Sequence, residues 1–374
     1  MRDLKIALVH DWLTGMRGGE KVLEVLCELY PQAPLFTLLH NRGSVSPIIE
    51  KRDIHTSFVD RLPFKAKHYR NYLPLFPRAI ESFDFSEYDL ILSTSHAVAK
   101  GAVPARGALH ICYCHTPMRY VWELYNQYFG PGRANVLTRG AMSFVAPRLR
   151  KWDVASSSRV NAFIANSRNV AERIQQYYQK SADVIYPPVN VDQFSVSEKD
   201  DAYYLIVSAL VPYKRVDLAI ETFRQTRERL LVVGTGPEMN RLQSLASANI
   251  EFLGWQPDIE LARLYAGCRA LIFPGIEDFG IVPLEAMASG KPVVAFGQGG
   301  ALETVVDDPQ HCTGVFFYEQ TPEALKGAIG KLDTLELDPF SIRAHAEQFD
   351  RRKFKETYRQ YVEQKVTSLL PPRN

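Results

Sequence analysis

The 374-residue chain contains no CxxC, no HExxH and no uninterrupted apolar segment of membrane-spanning length. Without HExxH or a similar pairing among its histidines, the common spacings of a zinc site are excluded. Without a run of roughly 20 apolar residues no helix is expected to cross a bilayer, so membrane attachment would be peripheral. The five cysteines are Cys27, Cys112, Cys114, Cys268 and Cys312. Their odd number and irregular spacing point to reduced, buried thiols rather than a disulfide framework, and so to a cytoplasmic location. Met1-Arg2-Asp3 leads directly into a short apolar strand, which leaves no signal peptide to expect. A net charge of +2 excludes polyanion binding by bulk charge, though not a local basic patch. The Gly234-Thr235-Gly236-Pro237 run ends a strand, but Met239 stands where a dinucleotide fingerprint needs its third glycine, which argues against NAD. No Walker lysine pattern is present either.

What is present reads as an α/β chain of two domains. Apolar strands alternate with helices: Leu4–His10, Leu35–Leu39, Leu90–Ser93, Ala108–Cys114 and Ala162–Ala165, then Tyr203–Ser208, Leu230–Val233, Ile250–Trp255, Arg269–Phe273 and Lys291–Phe296. Such alternation gives doubly wound parallel sheets. The boundary falls in Val184–Phe194, stiffened by Pro187 and Pro188. An N-terminal domain over 1–186, a linker over 187–194, a second domain over 195–348 and a charged final helix over 349–374, ending at Pro371-Pro372, are expected.

The stretch from Phe273 to Pro292 concentrates the chemistry. A buried strand breaks at Pro274-Gly275, turns through Gly280, and resumes as a short helix that stops at Gly290. Glu277 lies on the loop and Glu285 in the helix. Between them the amides of Gly280, Ile281 and Val282 precede a helix N-terminus, where donors and dipole favour an anion. Pro283 suits the first turn because it has no N–H. Lys214 and Arg215 stand on another strand-to-helix loop, one a point charge and the other a fork, natural ligands for a diphosphate or simply a solvated pair. In the first half, Asp11–Glu20 is a glycine-rich loop ahead of a helix, and Gly18-Gly19 would let another molecule approach the backbone. His115 ends a strand and points into the same kind of crevice; of the other histidines only His10 also ends a strand. Asn166-Ser167 makes a turn that helix capping alone explains. Gly297-Gln298-Gly299-Gly300 is a second glycine-rich loop opening a helix.

Residues 51–80 differ in character. Lys51, Arg52, Arg61, Lys65, Lys67, Arg70 and Arg78 face only Asp53 and Asp60, with Phe58, Phe64, Tyr69, Tyr72 and Phe76 interleaved. The stretch reads either as a solvated helical hairpin whose apolar residues are core, or as a surface for an anionic membrane or lipid-linked acceptor. Nucleic acid is the least supported partner. Arg139, Arg148, Arg150 and Lys151 with Phe144 form a second basic stretch.

Taken jointly, the Gly18-Gly19-Glu20 loop, His115, Asn166-Ser167, Lys214, Gly234–Pro237, Phe252-Leu253-Gly254 and Glu277-x7-Glu285 with Phe279-Gly280 resemble the retaining "group one" glycosyltransferases of the GT-B fold. The likeness covers nearly the whole chain, and His115-Thr116-Pro117 and Val211–Asp217 look most like enzymes of exopolysaccharide and O-antigen assembly. The resemblance implies two Rossmann-like domains facing a central cleft. It implies transfer of a hexose from a nucleotide sugar to a saccharide or lipid-linked acceptor, with UDP-hexose favoured and GDP-mannose next. By the same resemblance Glu285 holds the ribose hydroxyls, Glu277 faces the donor hexose, and the backbone at Asp278, Phe279, Gly280, Ile281 and Val282 contacts sugar and phosphate. Lys214 neutralises the leaving diphosphate, Phe252, Leu253 and Trp255 flank the base, Gly19 lies against the diphosphate, and His115 meets the sugar's 6-hydroxyl. Gly18 and Asn166 belong to the acceptor side. One departure matters: relatives usually show Gly-Arg where this chain has Ser208-Ala209. Arg215, standing where relatives often have glycine, is the suggested partial substitute.

Many transferases hold a divalent metal with a DxD motif, and no DxD occurs here. The cations and helix N-termini are expected to stabilise the leaving group instead, with no cofactor. Two competing readings remain at this stage, a sugar-nucleotide epimerase on the same fold and a non-catalytic sugar-nucleotide-binding partner.

Overall fold

The computed structural model describes residues 4–130, 135–198 and 200–370. The Met1-Arg2-Asp3 lead, the Lys67 side chain and the Pro371-Pro372 stop lie outside that description. The chain divides into two compact units, one of Met1–Pro188 with Phe354–Asn374, the other of Val189–Lys353.

The first unit is built on seven parallel strands: β1 (Ile6–His10), β2 (Leu35–Thr37), β3 (Ile54–Thr56), β4 (Leu90–Ser95), β5 (Leu109–Cys114), β6 (Ala162–Ala165) and β7 (Ala182–Val184). Their order is β3-β2-β1-β4-β5-β6-β7. Every residue of β4 and β5 is buried, the pattern of parallel strands covered on both faces. One face carries the Gly18–Leu29 helix through Val22, Leu23 and Leu26, together with Phe354, Tyr358 and Val362 of the Arg351–Leu369 helix. The chain's last helix therefore completes the core of the first unit. The opposite face packs Trp12, Tyr69, Leu73, Phe76, Ala146 and Leu149.

Residues 51–80 do not form a helical hairpin. Ile54–Thr56 joins the sheet edge, with Ile54 paired to Leu35, and the remainder is a series of 3₁₀ and α turns. Pro63, Pro74 and Pro77 interrupt the ladder of amide donors that a continuous helix needs. The apolar residues are divided: Val59, Tyr69, Leu73 and Phe76 are core, whereas Phe64 is 79% exposed. The second basic stretch lies on the Val136–Ser157 helix, where Val136, Leu137 and Phe144 are exposed.

The second unit holds six parallel strands: β8 (Tyr203–Val207), β9 (Arg229–Val233), β10 (Ile250–Gly254), β11 (Ala270–Phe273), β12 (Val293–Phe296) and β13 (Gly314–Phe317). Their order, β10-β9-β8-β11-β12-β13, is that of a Rossmann sheet, and the winding direction reverses between β8 and β11. β13, β3 and β7 are not among the strands expected from the sequence. Val189 and Val191 are buried. Val189 donates to the Phe349 carbonyl and accepts from the Arg351 amide, so the segment after Pro188 is zipped to the strip that leads into the last helix.

A buried polar hub ties four segments of the first unit. The Lys100 ammonium lies 2.9 Å from an Asp153 carboxylate oxygen and donates to the Asp153 carbonyl and Ser156 hydroxyl at 2.8 Å each. The other carboxylate oxygen accepts from the Trp122 indole at 2.8 Å and the Tyr178 hydroxyl at 2.9 Å. Lys100 and Asp153 are essentially inaccessible, so removing one charge strands the other. Lys100→Met is expected to cost about 3–5 kcal/mol, measured by urea unfolding of the whole chain; a loss under about 1 kcal/mol, the scale of an exposed pair, would contradict the hub.

Candidate functional site

In an open α/β sheet the loops leaving the strands on either side of a winding reversal run apart and leave a crevice beyond the strand ends. In the second unit those loops follow β8 and β11. The β8 loop carries Lys214 at the end of the Pro212–Lys214 turn, and the β11 loop carries Glu277. The structure joins them: the Lys214 ammonium and Glu277 carboxylate form an ion pair, with side chains only 16% and 18% exposed.

The two loops come this close because glycine permits it. A β-carbon at Gly275 would lie 2.8 Å from the Lys214 α-carbon and 2.9 Å from its carbonyl oxygen. On the other side of the same loop, Gly300 donates its amide to the Glu277 carbonyl at 2.9 Å, and a β-carbon there would fall 2.3 Å from the Phe279 α-carbon. The second glycine-rich loop thus buttresses the Glu277 loop. The Gly234–Gly236 run has a similar explanation, since the carbonyls of Ser208 and Leu210 fill the space that side chains there would need.

The Ile281–Ala288 helix begins directly after Gly280 and has no side-chain cap, so its first-turn donors and dipole favour an anion there. Phe279 is buried and its ring meets Phe349 at 5.8 Å, so its backbone rather than its side chain lines the loop. Asp278 is half-buried on the same loop. Glu285 is buried and accepts a hydrogen bond from the Tyr265 hydroxyl at 3.0 Å. At the end of edge strand β10, Phe252 is half-buried against the core, Leu253 is half-buried and Trp255 is 73% exposed.

Arg215 adopts a left-handed backbone, φ 52° and ψ 36°, at the N-cap of the Val216–Phe223 helix. Its guanidinium donates to Gln320 at 2.8 Å and to Asp217 at 3.3 Å, and Gln320 donates in turn to the Pro274 carbonyl at 3.0 Å. Gln320, on the loop after β13, links the Arg215 and Glu277 loops. Nothing in its local sequence signals this role.

In the first unit three histidines sit at successive strand ends: His10 on β1, His96 after β4 and His115 after β5. Ring centroids are 6.1 Å apart for His10 and His96, and 6.3 Å for His96 and His115. Gly19 lies over two of them, since a β-carbon there would stand 3.5 Å from His115 Nε2 and 3.6 Å from His10 Cε1. Gly18 starts the same helix. His10 is more than a second strand end, and His96 was missed altogether. Its signal is visible only with the strand order, which brings β1, β4 and β5 side by side. Asp11 organises this corner, accepting amides of His96 and Ala97 on one oxygen and of Val98 and Ala99 on the other, at 2.6–3.0 Å. Asn166 is buried at the end of β6 and accepts from the Ser167 hydroxyl at 3.0 Å. Ser167 in turn caps the following helix through the Val170 amide.

Burial sets the protonation of this corner. It pushes His115 well below the ordinary imidazole value, helped by His96 and His10. It pushes His96 down despite Asp11 and takes His110, paired with Ser93, down to about 3. For Glu20, burial opposes ionisation, but the His10 hydrogen bond and neighbouring imidazole charge outweigh it and lower the carboxyl. Among the described residues no group of three or more His, Cys, Asp or Glu side chains could hold a metal ion, and no helix is long and apolar enough to cross a membrane.

A consequence is an acid-side loss of stability. The unfolded histidines take up protons near the ordinary 6.5, which the folded chain resists. Their contribution is therefore complete above that pH and falls away below it, by about 1.4 kcal/mol per pH unit for each histidine that stays neutral. Urea unfolding at pH 7.5 and 5.5 should show the decline, and a flat profile would contradict it.

Comparison with known proteins then places the chain. Residues 190–352 match the family model described as "Glycosyl transferases group 1", and residues 18–193 match "Glycosyltransferase Family 4". An uncharacterized glycosyltransferase of Methanocaldococcus jannaschii is 29% identical over 187 residues, 49% of this chain and 51% of the relative. The GDP-mannose-dependent alpha-(1-6)-phosphatidylinositol monomannoside mannosyltransferase of Mycolicibacterium smegmatis is 30% identical over 198 residues, 44% and 51% of the respective chains. The chain spans about half the length of the curated relatives it matches. The crystal structure of Anabaena HepE in complex with UDP shares the fold, with a TM-score of 0.71 at 18% identity over 96% of this chain and 100% of that one. Glycosyltransferase models thus match both halves, the group 1 model over residues 190–352 and the family 4 model over residues 18–193, and the chain has the GT-B fold.

Proposed function

We propose that the protein transfers a hexose from a nucleoside-diphosphate sugar to a saccharide or lipid-linked saccharide acceptor during polysaccharide assembly, with retention at the anomeric carbon and without a metal. The observation that carries the reading is the meeting of Lys214, Glu277 and the uncapped Ile281–Ala288 helix at the strand-order reversal of the second unit. Cleaving the sugar–diphosphate bond places negative charge on the departing diphosphate and positive charge on the anomeric carbon. Lys214, Arg215 and the amides at Gly280, Ile281 and Val282 stabilise the first. Glu277 holds the hexose hydroxyls and Glu285 the ribose. The acceptor oxygen bonds to the anomeric carbon on the face the diphosphate leaves, and its proton passes to the departing phosphate oxygen, so no protein nucleophile is needed. Trp255, exposed beside Leu253, offers a surface for the base. In the first unit, Gly19 serves the diphosphate, His115 the sugar's 6-hydroxyl, and Gly18 and Asn166 the acceptor side. Peripheral attachment at the cytoplasmic face of a membrane is part of the proposal. Exposed Val136, Leu137 and Phe144 on the helix that carries Arg139 and Arg148, together with exposed Phe64, support a lipid-linked acceptor.

UDP, present in the HepE structure, and GDP-mannose, named for the mycobacterial relative, indicate which donors to test first. Incubated with UDP-glucose or GDP-mannose, the protein should release nucleotide only when an acceptor-lipid extract is present. Release without acceptor would indicate epimerisation or hydrolysis, and no release in either case a binding protein. Arg215 provides a second check. A left-handed backbone costs a non-glycine residue roughly 1–2 kcal/mol, so Arg215→Gly should leave the fold at least as stable. If the guanidinium serves the diphosphate, the same variant should raise the donor KM several-fold; an unchanged KM with unchanged turnover removes Arg215 from the site.

A further inference from the structure

The donor site proposed above contains its own competitor. Lys214 suits a diphosphate and Glu277 sugar hydroxyls, yet the two side chains are paired with each other. The pairing is built into the backbone. Gly275 seats its loop on the Lys214 main chain, and Gly300 fixes the Glu277 carbonyl from the opposite side. With both main chains clamped, the pair can be exchanged only by side-chain rotation. The side chains are more than four-fifths buried, so solvent screens them weakly.

We infer that Glu277 sets the discrimination between nucleotide sugar and free nucleoside diphosphate by competing for Lys214. The inference rests on the donor-site reading. A complete nucleotide sugar offers replacements to both members of the pair: phosphate oxygens accept from Lys214, and hexose hydroxyls donate to Glu277. A nucleoside diphosphate offers only the first. When it draws Lys214 away, Glu277 is left as a poorly solvated carboxylate without its cation, an expensive state. The diphosphate alone therefore binds less tightly than the phosphate contacts would allow. After transfer, once the hexose has moved to the acceptor, Glu277 recovers Lys214 and the product is released. A residue placed by its sugar contact thus also governs product departure, acting through Lys214.

The test is calorimetric titration of UDP and GDP into the full chain and its variants, with no acceptor and no turnover. Glu277→Gln keeps the shape and removes the charge, and should bind the diphosphate roughly tenfold more tightly than wild type, the scale of one charge-assisted hydrogen bond. Glu277→Ala, as a second variant, should shift in the same direction. Lys214→Met should weaken binding, and adding Glu277→Gln to it should change affinity less than twofold. Tightening of equal size in the Lys214→Met background would mean that Glu277 simply repels phosphate, and would overturn the inference. So would a Glu277→Gln variant that binds the diphosphate no more tightly than wild type. If wild-type protein binds neither UDP nor GDP at millimolar concentration, the donor-site reading fails and the inference falls with it.

Discussion

The second unit depends on one constraint, the near contact of two backbones beyond the ends of β8 and β11. A Rossmann sheet opens a crevice there because its connections run to opposite sides. An open crevice alone would leave Lys214 and Glu277 on diverging loops. The absence of a side chain at Gly275 lets the loops touch, and the Gly300 amide holds the second loop against the first. Placing both loops leaves an ammonium and a carboxylate sharing a poorly hydrated space, where they pair. The uncapped helix that follows belongs to the same arrangement, because its start is set by the turn at Gly280.

The first unit uses the same geometry with different chemistry. The ends of β1, β4 and β5 bring together His10, His96 and His115, and Asp11 holds the β4 loop by accepting four of its amides. Burial holds His96 and His115 below the ordinary imidazole value, and the neighbouring imidazoles add to the cost of charging each. The first unit presents clustered imidazoles at its strand ends, while the second presents an ion pair and a helix N-terminus.

Much of this was legible in the chain itself. Long apolar runs such as Leu230–Val233 and Ala108–Cys114 announce buried parallel strands, and glycines and prolines mark where they stop. The pairing of Lys214 with the Glu277 loop is consistent with the family pattern, although neither residue is distinctive alone. Less was visible in residues 51–80. There, basic and aromatic residues suggested a hairpin, but three prolines and a three-residue edge strand produced a chain of turns. Gln320 and His96 left no trace, since each acts only through partners far away in sequence.

The sequence by itself determined the α/β alternation, the positions of the glycine-rich and charged loops, and the residue types available for chemistry. These follow from local properties: hydrophobic runs, missing amide donors at proline, and backbone freedom at glycine. The tertiary structure decided which of those residues meet. Strand order is a long-range property, fixed by how helices pack back onto a twisted sheet. Only that order places β8 beside β11, so that Lys214 finds Glu277, and β1 beside β4 beside β5, so that three histidines distant in sequence share one corner.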